Sequence, residues 1–254
     1  MTNHYVRFAV NGQTHFGLLS DDQVAVLQGD IFGEHQPTEQ TYPLSEVQLL
    51  TPCQPSKVVC VGLNYRKHAL ELGMKLPAEP VIFLKPTTAL LPPGGDIVYW
   101  PTVGQLDYEG EFAIVIGRKC HQVAEADAAQ YIFGYTIAND VTARDLQSKD
   151  IQWSRAKSFD TFCPLGPSIV TGVDAGDLAL RTFLNGELKQ DGRTSDVIFS
   201  IPYMVSFVSQ VMTLYPGDVI LTGTPSGIGP MQVGDEVTIE IEGLGALTNR
   251  VAKP

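Results

Sequence analysis

The segment DYEGE (107–111) runs straight into the apolar stretch FAIVIG (112–117). In a strand, side chains two positions apart share a face, so Glu109 and Glu111 point the same way. Two like charges side by side repel unless a cation lies between them. Gly110, between them, permits close approach of another chain segment. Asp140 ends a second strand-like run, YTIAND, just before a predicted helical turn, and strand ends project side chains into clefts. Three carboxylates with no His or Cys make an all-oxygen donor set, which suits Mg2+, Mn2+ or Ca2+ rather than zinc. Spacing alone also fits a plainer arrangement, in which the Glu pair is a solvated strand edge and Asp140 a helix cap.

His68 and Glu71 stand three apart in the helix-forming segment YRKHALELG, which places them on one helical face. A carboxylate beside an imidazole orients it and favours proton uptake, as a general base acting on water requires. An incidental pair on an exposed helix has the same spacing. Gly73, Pro77 and Pro80 bound this segment, as they would a lid that orders over a bound substrate. Arg144 follows Asp140 by about one helical turn, and Gln147 extends that face. Lys157 in RAKSFD and Lys85 in FLKP are single cations among small or apolar residues. Such a cation either snorkels to water or meets an anion.

The elements that must carry these groups are mostly strands. VRFAVNGQTHFGLL is two alternating runs around Asn11-Gly12, a strong hairpin signal. TPCQPSK (51–57), with two prolines, reads as a linker, giving a small β-rich N-terminal domain (1–55) and a catalytic domain (56–254). KVVCVGLN is a buried-strand run ending at Asn64, a predicted helix N-cap. VIFLK, EGEFAIVIG and YTIAND are predicted strands, VAEADAAQYIFG a short helix, and VTARDLQ a helical turn. The residues after Pro202 in VIFSIPYMVSFVSQVMTL form a further predicted helix, and EVTIEIEGLGALTNRV a closing hairpin. Strands and helices do not alternate regularly, and GIGPMQVG is not followed by helix chemistry, which excludes a dinucleotide-binding fold. The predicted class is β-rich α+β.

Over 254 residues, 17 Lys and Arg stand against 28 Asp and Glu, a net charge of −11. That excess argues against a nucleic-acid partner, which needs clustered cations. It also means that an acid bound here must be received by a metal or by a few inward-facing cations. No apolar run approaches the roughly 20 residues that span a bilayer, and the N-terminus lacks signal-peptide order, so a cytoplasmic location without membrane contact is expected. Cys53, Cys60, Cys120 and Cys163 are scattered and read as reduced thiols.

Taken in order, NY-x2-HALE, FLKP, LDYEGEFAIVIG, ANDVTARDLQ, AKSFDTFCPLGP, FSIPYMVSFVS and PGDVILTGTPSGIGP strongly resemble the fumarylacetoacetate hydrolase family. The likeness runs from about residue 57 to the C-terminus and is closest to small members with acylpyruvate hydrolase or oxaloacetate decarboxylase activity. The resemblance implies a mixed β-roll, usually homodimeric. It implies Glu109, Glu111 and Asp140 as ligands of Mg2+ or Mn2+, and His68 with Glu71 as the pair that activates water. Lys157 matches the lysine that stabilises developing negative charge. Arg144 and Gln147 match residues near the substrate, Thr224 matches a substrate-carboxylate contact, and Lys85 lies in a shared motif beside the substrate. Larger members carry a further acidic ligand upstream that has no counterpart here.

The implied reaction is hydrolysis of a C–C bond in an acylpyruvate-like 2,4-dioxo acid, a small anionic substrate, by way of an enolate held at the metal. Oxaloacetate decarboxylation and 2-oxo acid isomerisation use the same electrophilic half without the water. A non-catalytic protein holding a metal or ligand at the carboxylates is the reading from a different class; a chelator would then cost it stability and turnover would never be seen.

Overall fold

The computed structural model describes residues 2–71 and 73–254. Its largest sheet has 12 strands. Along its centre run Cys163–Thr171, Ile132–Asn139, Gly110–Ile116, Val219–Leu221, Val58–Gly62 and Val81–Lys85, each paired with the next. The Val219–Leu221 and Val58–Gly62 pair is parallel and its neighbours antiparallel, so the sheet is mixed. A five-stranded sheet carries Glu187–Arg193 and Ala179–Leu184, and a three-stranded sheet carries Thr142–Ala143, Leu106–Tyr108 and Gly229–Met231. Helices are few and short, which makes the chain a β-rich α+β protein, as its pattern predicts.

Gly110–Ile116 is buried at every position because both faces of this strand are covered. Ile114 and Ile116 pack with Met204, Val205 and Val208 of the helix Ile201–Val211. Ala113 and Val115 point the other way, into a core shared with Cys60, Cys163 and Leu221. By strand alternation Glu111 lies on that second face, at its open end. Ser200 caps the helix Ile201–Val211 by accepting from Tyr203 N, and Pro202 sits in the first turn, where a missing N–H costs nothing.

The N-terminal strands Asn3–Val10 and Gln13–Ser20 form the expected hairpin, with φ of 51° at Asn11 and 75° at Gly12. Asn3–Val10 also pairs antiparallel with Cys163–Thr171, so this segment shares the large sheet with the rest of the chain. All four cysteines are buried and unpaired. Among the described residues no helix is long and apolar enough to cross a membrane.

Three local expectations need correction. Asn64 does not cap the helix Arg66–Glu71: its Oδ1 accepts from Phe199 N and its Nδ2 donates to Thr222 O, tying two distant loops together. In VAEADAAQYIFG only Glu125–Tyr131 is helical, as a 3-10 turn, and Ile132 already starts a strand, because sheet pairing outweighs local helix propensity there. Asp140 and Arg144 are not on one helical face, since strand Thr142–Ala143 lies between them. A second hairpin, Ala179–Leu184 with Glu187–Arg193, turns through Asn185 and Gly186, both at positive φ, and carries the same Asn-Gly signal as the first.

Candidate active site

Glu109 is the residue at which the chain leaves the three-stranded sheet and enters the large one; Leu106–Tyr108 ends before it and Gly110–Ile116 begins after it. Its backbone N–H donates to Asn139 Oδ1 (3.0 Å). Asp140 lies at the end of the neighbouring strand, and its N–H donates to Glu109 O (2.9 Å). These two bonds bring Glu109, Glu111 and Asp140 together. One oxygen from each lies within 4.8 Å of the others, and all three residues are buried. They line a cavity of about 240 Å³ together with His68, Arg144, Gln147, Lys157 and Thr224.

The cations are spent on the acids. Lys157 Nζ lies 2.9 Å from Glu109 Oε2 and 2.6 Å from Asp140 Oδ2. Arg144 donates to Asp107 (2.8 Å), Glu109 (2.5 Å) and Gln147 Oε1 (2.5 Å). Burial opposes ionisation of Glu109, but Lys157 and Arg144 outweigh it and hold its carboxyl far below the usual range. Burial likewise opposes charge on Lys157, and Asp140 and Glu109 override it, keeping the ammonium protonated.

Lys85 lies deeper than the other cations. It is fully buried, 2.6 Å from Asp140 Oδ1, and donates to Val141 O and Lys157 O. It stands behind Asp140, outside the set of residues that line the cavity, and braces a carboxylate there. Thr224 does line the cavity, but its hydroxyl donates to Gly110 O (2.8 Å), which leaves no proton for a bound carboxylate.

Glu111 has the least support. Among the described residues it has no ion-pair partner, and Oε2 accepts from Gly223 N (2.7 Å). Burial, then repulsion from Asp140 and Glu109, pushes its carboxyl well above the ordinary 4.5. Asp140 Oδ1 is buried, and its partner is the Lys85 ammonium 2.6 Å away. Four carboxylates (Asp107, Glu109, Glu111, Asp140) thus face three cations (Lys85, Arg144, Lys157). An all-oxygen cluster short of positive charge fits a hard divalent cation. With that cation the local balance turns positive, which would receive an anionic ligand in a protein of net charge −11.

His68 is buried in the helix Arg66–Glu71, with Nδ1 3.1 Å from Glu71 Oε2. That contact assigns the proton to Nδ1 and leaves the lone pair on Nε2. The other oxygen of Glu71 accepts from Gly227 N (2.9 Å), and Tyr108 Oη donates to Gly227 O (2.9 Å), so the glutamate fastens this helix to the loop opposite. Gly73, at φ 65°, ends the segment as expected.

Several residues of the site escaped the sequence reading. Asp107 pairs with Arg144, and its place two before Glu109 was the available signal. Asn139 and Gln190 gave none, because their work is done through backbone contacts. Phe83, Trp153 and Met74 form an apolar wall; Trp153 meets Phe83 edge-on at 5.4 Å, and Lys157 Nζ lies 5.1 Å from the Phe83 ring centre.

Comparison with known proteins places the chain among relatives of known fold. Residues 57–252 match the family model described as Fumarylacetoacetate (FAA) hydrolase C-terminal, and residues 3–52 match one described as Rv2993c-like, N-terminal. The chain is 46% identical to a crystal structure of 2-hydroxyhepta-2,4-diene-1,7-dioate isomerase from Mycobacterium marinum, covering 99% of this chain and 98% of that one at a TM-score of 0.93. It is 43% identical over 222 residues to the mitochondrial oxaloacetate tautomerase FAHD2A of Homo sapiens, covering 82% of this chain and 71% of that protein. A maleylpyruvate hydrolase from Sphingobium sp. SYK-6, solved in complex with manganese (II) ion and pyruvate, is 30% identical, with 98% and 99% of the two chains covered and a TM-score of 0.81.

Proposed function

Because the chain belongs to the fumarylacetoacetate hydrolase family, whose members are enzymes, we propose that it is a metal-dependent enzyme converting a small anionic 2-oxo acid through its enolate, with C–C hydrolysis of an acylpyruvate as the complete reaction. The observation that carries this is one cavity lined both by His68, backed by Glu71, and by the three crowded carboxylates. Glu109, Glu111 and Asp140 would hold Mg2+ or Mn2+. The cation supplies Lewis-acid polarisation of the 2-oxo acid and charge to receive its carboxylate.

The chain's own groups supply the rest. His68, its Nδ1 proton held by Glu71, takes a proton from water at Nε2, and the resulting hydroxide adds to the C4 carbonyl. Collapse of that adduct breaks the C3–C4 bond, and its electron pair passes into the enolate of pyruvate. Lys157, already charged and buried, stabilises that negative charge as it develops. The imidazolium returns its proton to C3, giving pyruvate and a carboxylic acid, and water is the only co-reactant. The apolar wall of Phe83, Trp153 and Met74 limits access of bulk water.

A second reading stops at the enolate, as tautomerisation or decarboxylation of oxaloacetate or isomerisation of a 2-hydroxy-diene dioate. Similarity to an oxaloacetate tautomerase and to a dioate isomerase favours it. Turnover of acylpyruvates, oxaloacetate and 2-hydroxy-diene dioates, each with and without added Mg2+ or Mn2+, separates the two. No metal-dependent turnover of any of them would sink both. A homodimer belongs to the same proposal, and light scattering in solution checks it.

A further inference from the structure

Gly110, the residue between the two glutamates, sits in a closed ring of hydrogen bonds. Its N–H donates to Gln190 Oε1 (2.9 Å). Gln190 Nε2 donates to Thr224 Oγ1 (2.7 Å) and to Pro225 O (2.8 Å). Thr224 Oγ1 donates to Gly110 O (2.8 Å), which completes the circuit. The directions are forced. Gly110 N–H can only donate, while Gly110 O and Pro225 O can only accept, so the amide of Gln190 has one orientation and the hydroxyl of Thr224 one use for its proton. Gln190 and Thr224 are 0% and 2% exposed, so water does not compete for these bonds. A Cβ at Gly110 would come 2.2 Å from Thr182 Oγ1 and 3.1 Å from Gln190 Oε1, so the ring closes only around glycine.

The three members come from separate parts of the fold. Gly110 opens a strand of the large sheet, Gln190 lies in Glu187–Arg193 of the five-stranded sheet, and Thr224 follows Val219–Leu221. The ring therefore fixes the one backbone unit whose orientation sets the angle between Glu109 and Glu111, using a strand that contributes no side chain to the cavity wall. We propose that Gln190 and Thr224 are positioning residues for the paired carboxylates, and that the Thr224 hydroxyl serves metal affinity rather than substrate binding. This rests on the metal reading of the carboxylate cluster given above.

The test is the Mn2+ dissociation constant, measured by electron paramagnetic resonance on the full-length protein, for wild type, Gln190→Met, Thr224→Val, Thr224→Ser and the double variant Gln190→Met/Thr224→Val. Residues that support metal ligands are worth about 10–100-fold in metal affinity, and that loss is expected for Gln190→Met and for Thr224→Val. Thr224→Ser, which keeps the hydroxyl, restores wild-type affinity. The double variant binds no more weakly than the worse single one, because both break the same ring. At saturating Mn2+ the KM for a 2-oxo acid stays near the wild-type value. Wild-type Mn2+ affinity in Thr224→Val with a raised KM would overturn the proposal and return the hydroxyl to the substrate. Additive losses, or a loss that Thr224→Ser does not restore, would also overturn it. Wild-type protein that binds no Mn2+ would remove the metal reading itself, a result distinct from any of these. If Gln190→Met does not fold, the Thr224 pair decides alone.

Discussion

Replacing Glu111 by Gln should stabilise the metal-free protein while destroying its metal site. Glu111 is the buried carboxylate without a cationic partner among the described residues, and its oxygen lies within 4.8 Å of oxygens from Glu109 and Asp140. At an effective dielectric of about 20, two unit charges at that distance repel by roughly 3–4 kcal/mol. Lys157, bonded to both neighbours, cancels part of this, leaving a net cost on the order of 1–3 kcal/mol. The sign follows from the raised carboxyl: the stability that proton uptake supplies is fully present below the ordinary 4.5 and is lost as pH rises through the elevated folded-state value. Gln keeps the acceptor for Gly223 N and can donate its amide N–H to a neighbouring carboxylate. For a chain of this length 1 kcal/mol moves Tm by about 2–4 °C, so the variant should melt roughly 2–12 °C above metal-free wild type at pH 8. The gain should fade toward pH 4.5. Scanning calorimetry in chelator at several pH values reads this, and Mn2+ titration should show affinity reduced by at least about 100-fold. A variant that melts at or below wild type at pH 8, or that still binds Mn2+ normally, would refute the charge argument.

Three further outcomes are expected. Mg2+ or Mn2+ at about 100 times its dissociation constant should add ~2.7 kcal/mol of stability, visible as a Tm rise that EDTA reverses together with turnover; a rise in Tm with no turnover of any 2-oxo acid would mark a purely structural ion. His68→Ala should lower acylpyruvate hydrolysis about 100- to 10,000-fold while leaving Mn2+ affinity intact; retained oxaloacetate decarboxylation in the same variant would confine the histidine to the water step. Lys85→Met should cost about 1–3 kcal/mol by removing one of the two ammonium groups on Asp140 and leaving its Oδ1 without a partner, seen as a fall in Tm; a raised KM with unchanged Tm would instead return Lys85 to the substrate.

What could be read from the sequence was what depends on periodicity or local chemistry. Asn11-Gly12 announced a hairpin, and the spacing of His68 and Glu71 gave their contact, whereas Glu109 and Glu111 converge across a break between two strands that simple alternation does not describe. Roles that depend on contacts between distant segments could not be read that way. Lys85 looked like a lone cation seeking an anion, and it found one, but on the inner side of Asp140 rather than in the cavity. Asn64 looked like a helix cap because caps are local, whereas its amide is drawn across the fold to Phe199 and Thr222. Gln190 lies in the second hairpin, and its partners Thr224 and Gly110 are 34 and 80 positions away.

The same distinction explains why a cluster of acids survives in the interior. A buried carboxylate costs several kcal/mol unless paired, and here three lysine and arginine side chains meet most of that cost for Asp107, Glu109 and Asp140. Were the cluster built for stability alone, a fourth cation or an amide at position 111 would complete it. Glu111 instead sits against Gly223 N with its charge unmatched. Strain of this kind persists where the rest of the fold can carry it and where the missing partner is supplied from outside. The deficit is confined to one carboxylate on the wall of the cavity that also holds His68, and so it lies where a divalent cation and an anionic substrate could both reach it.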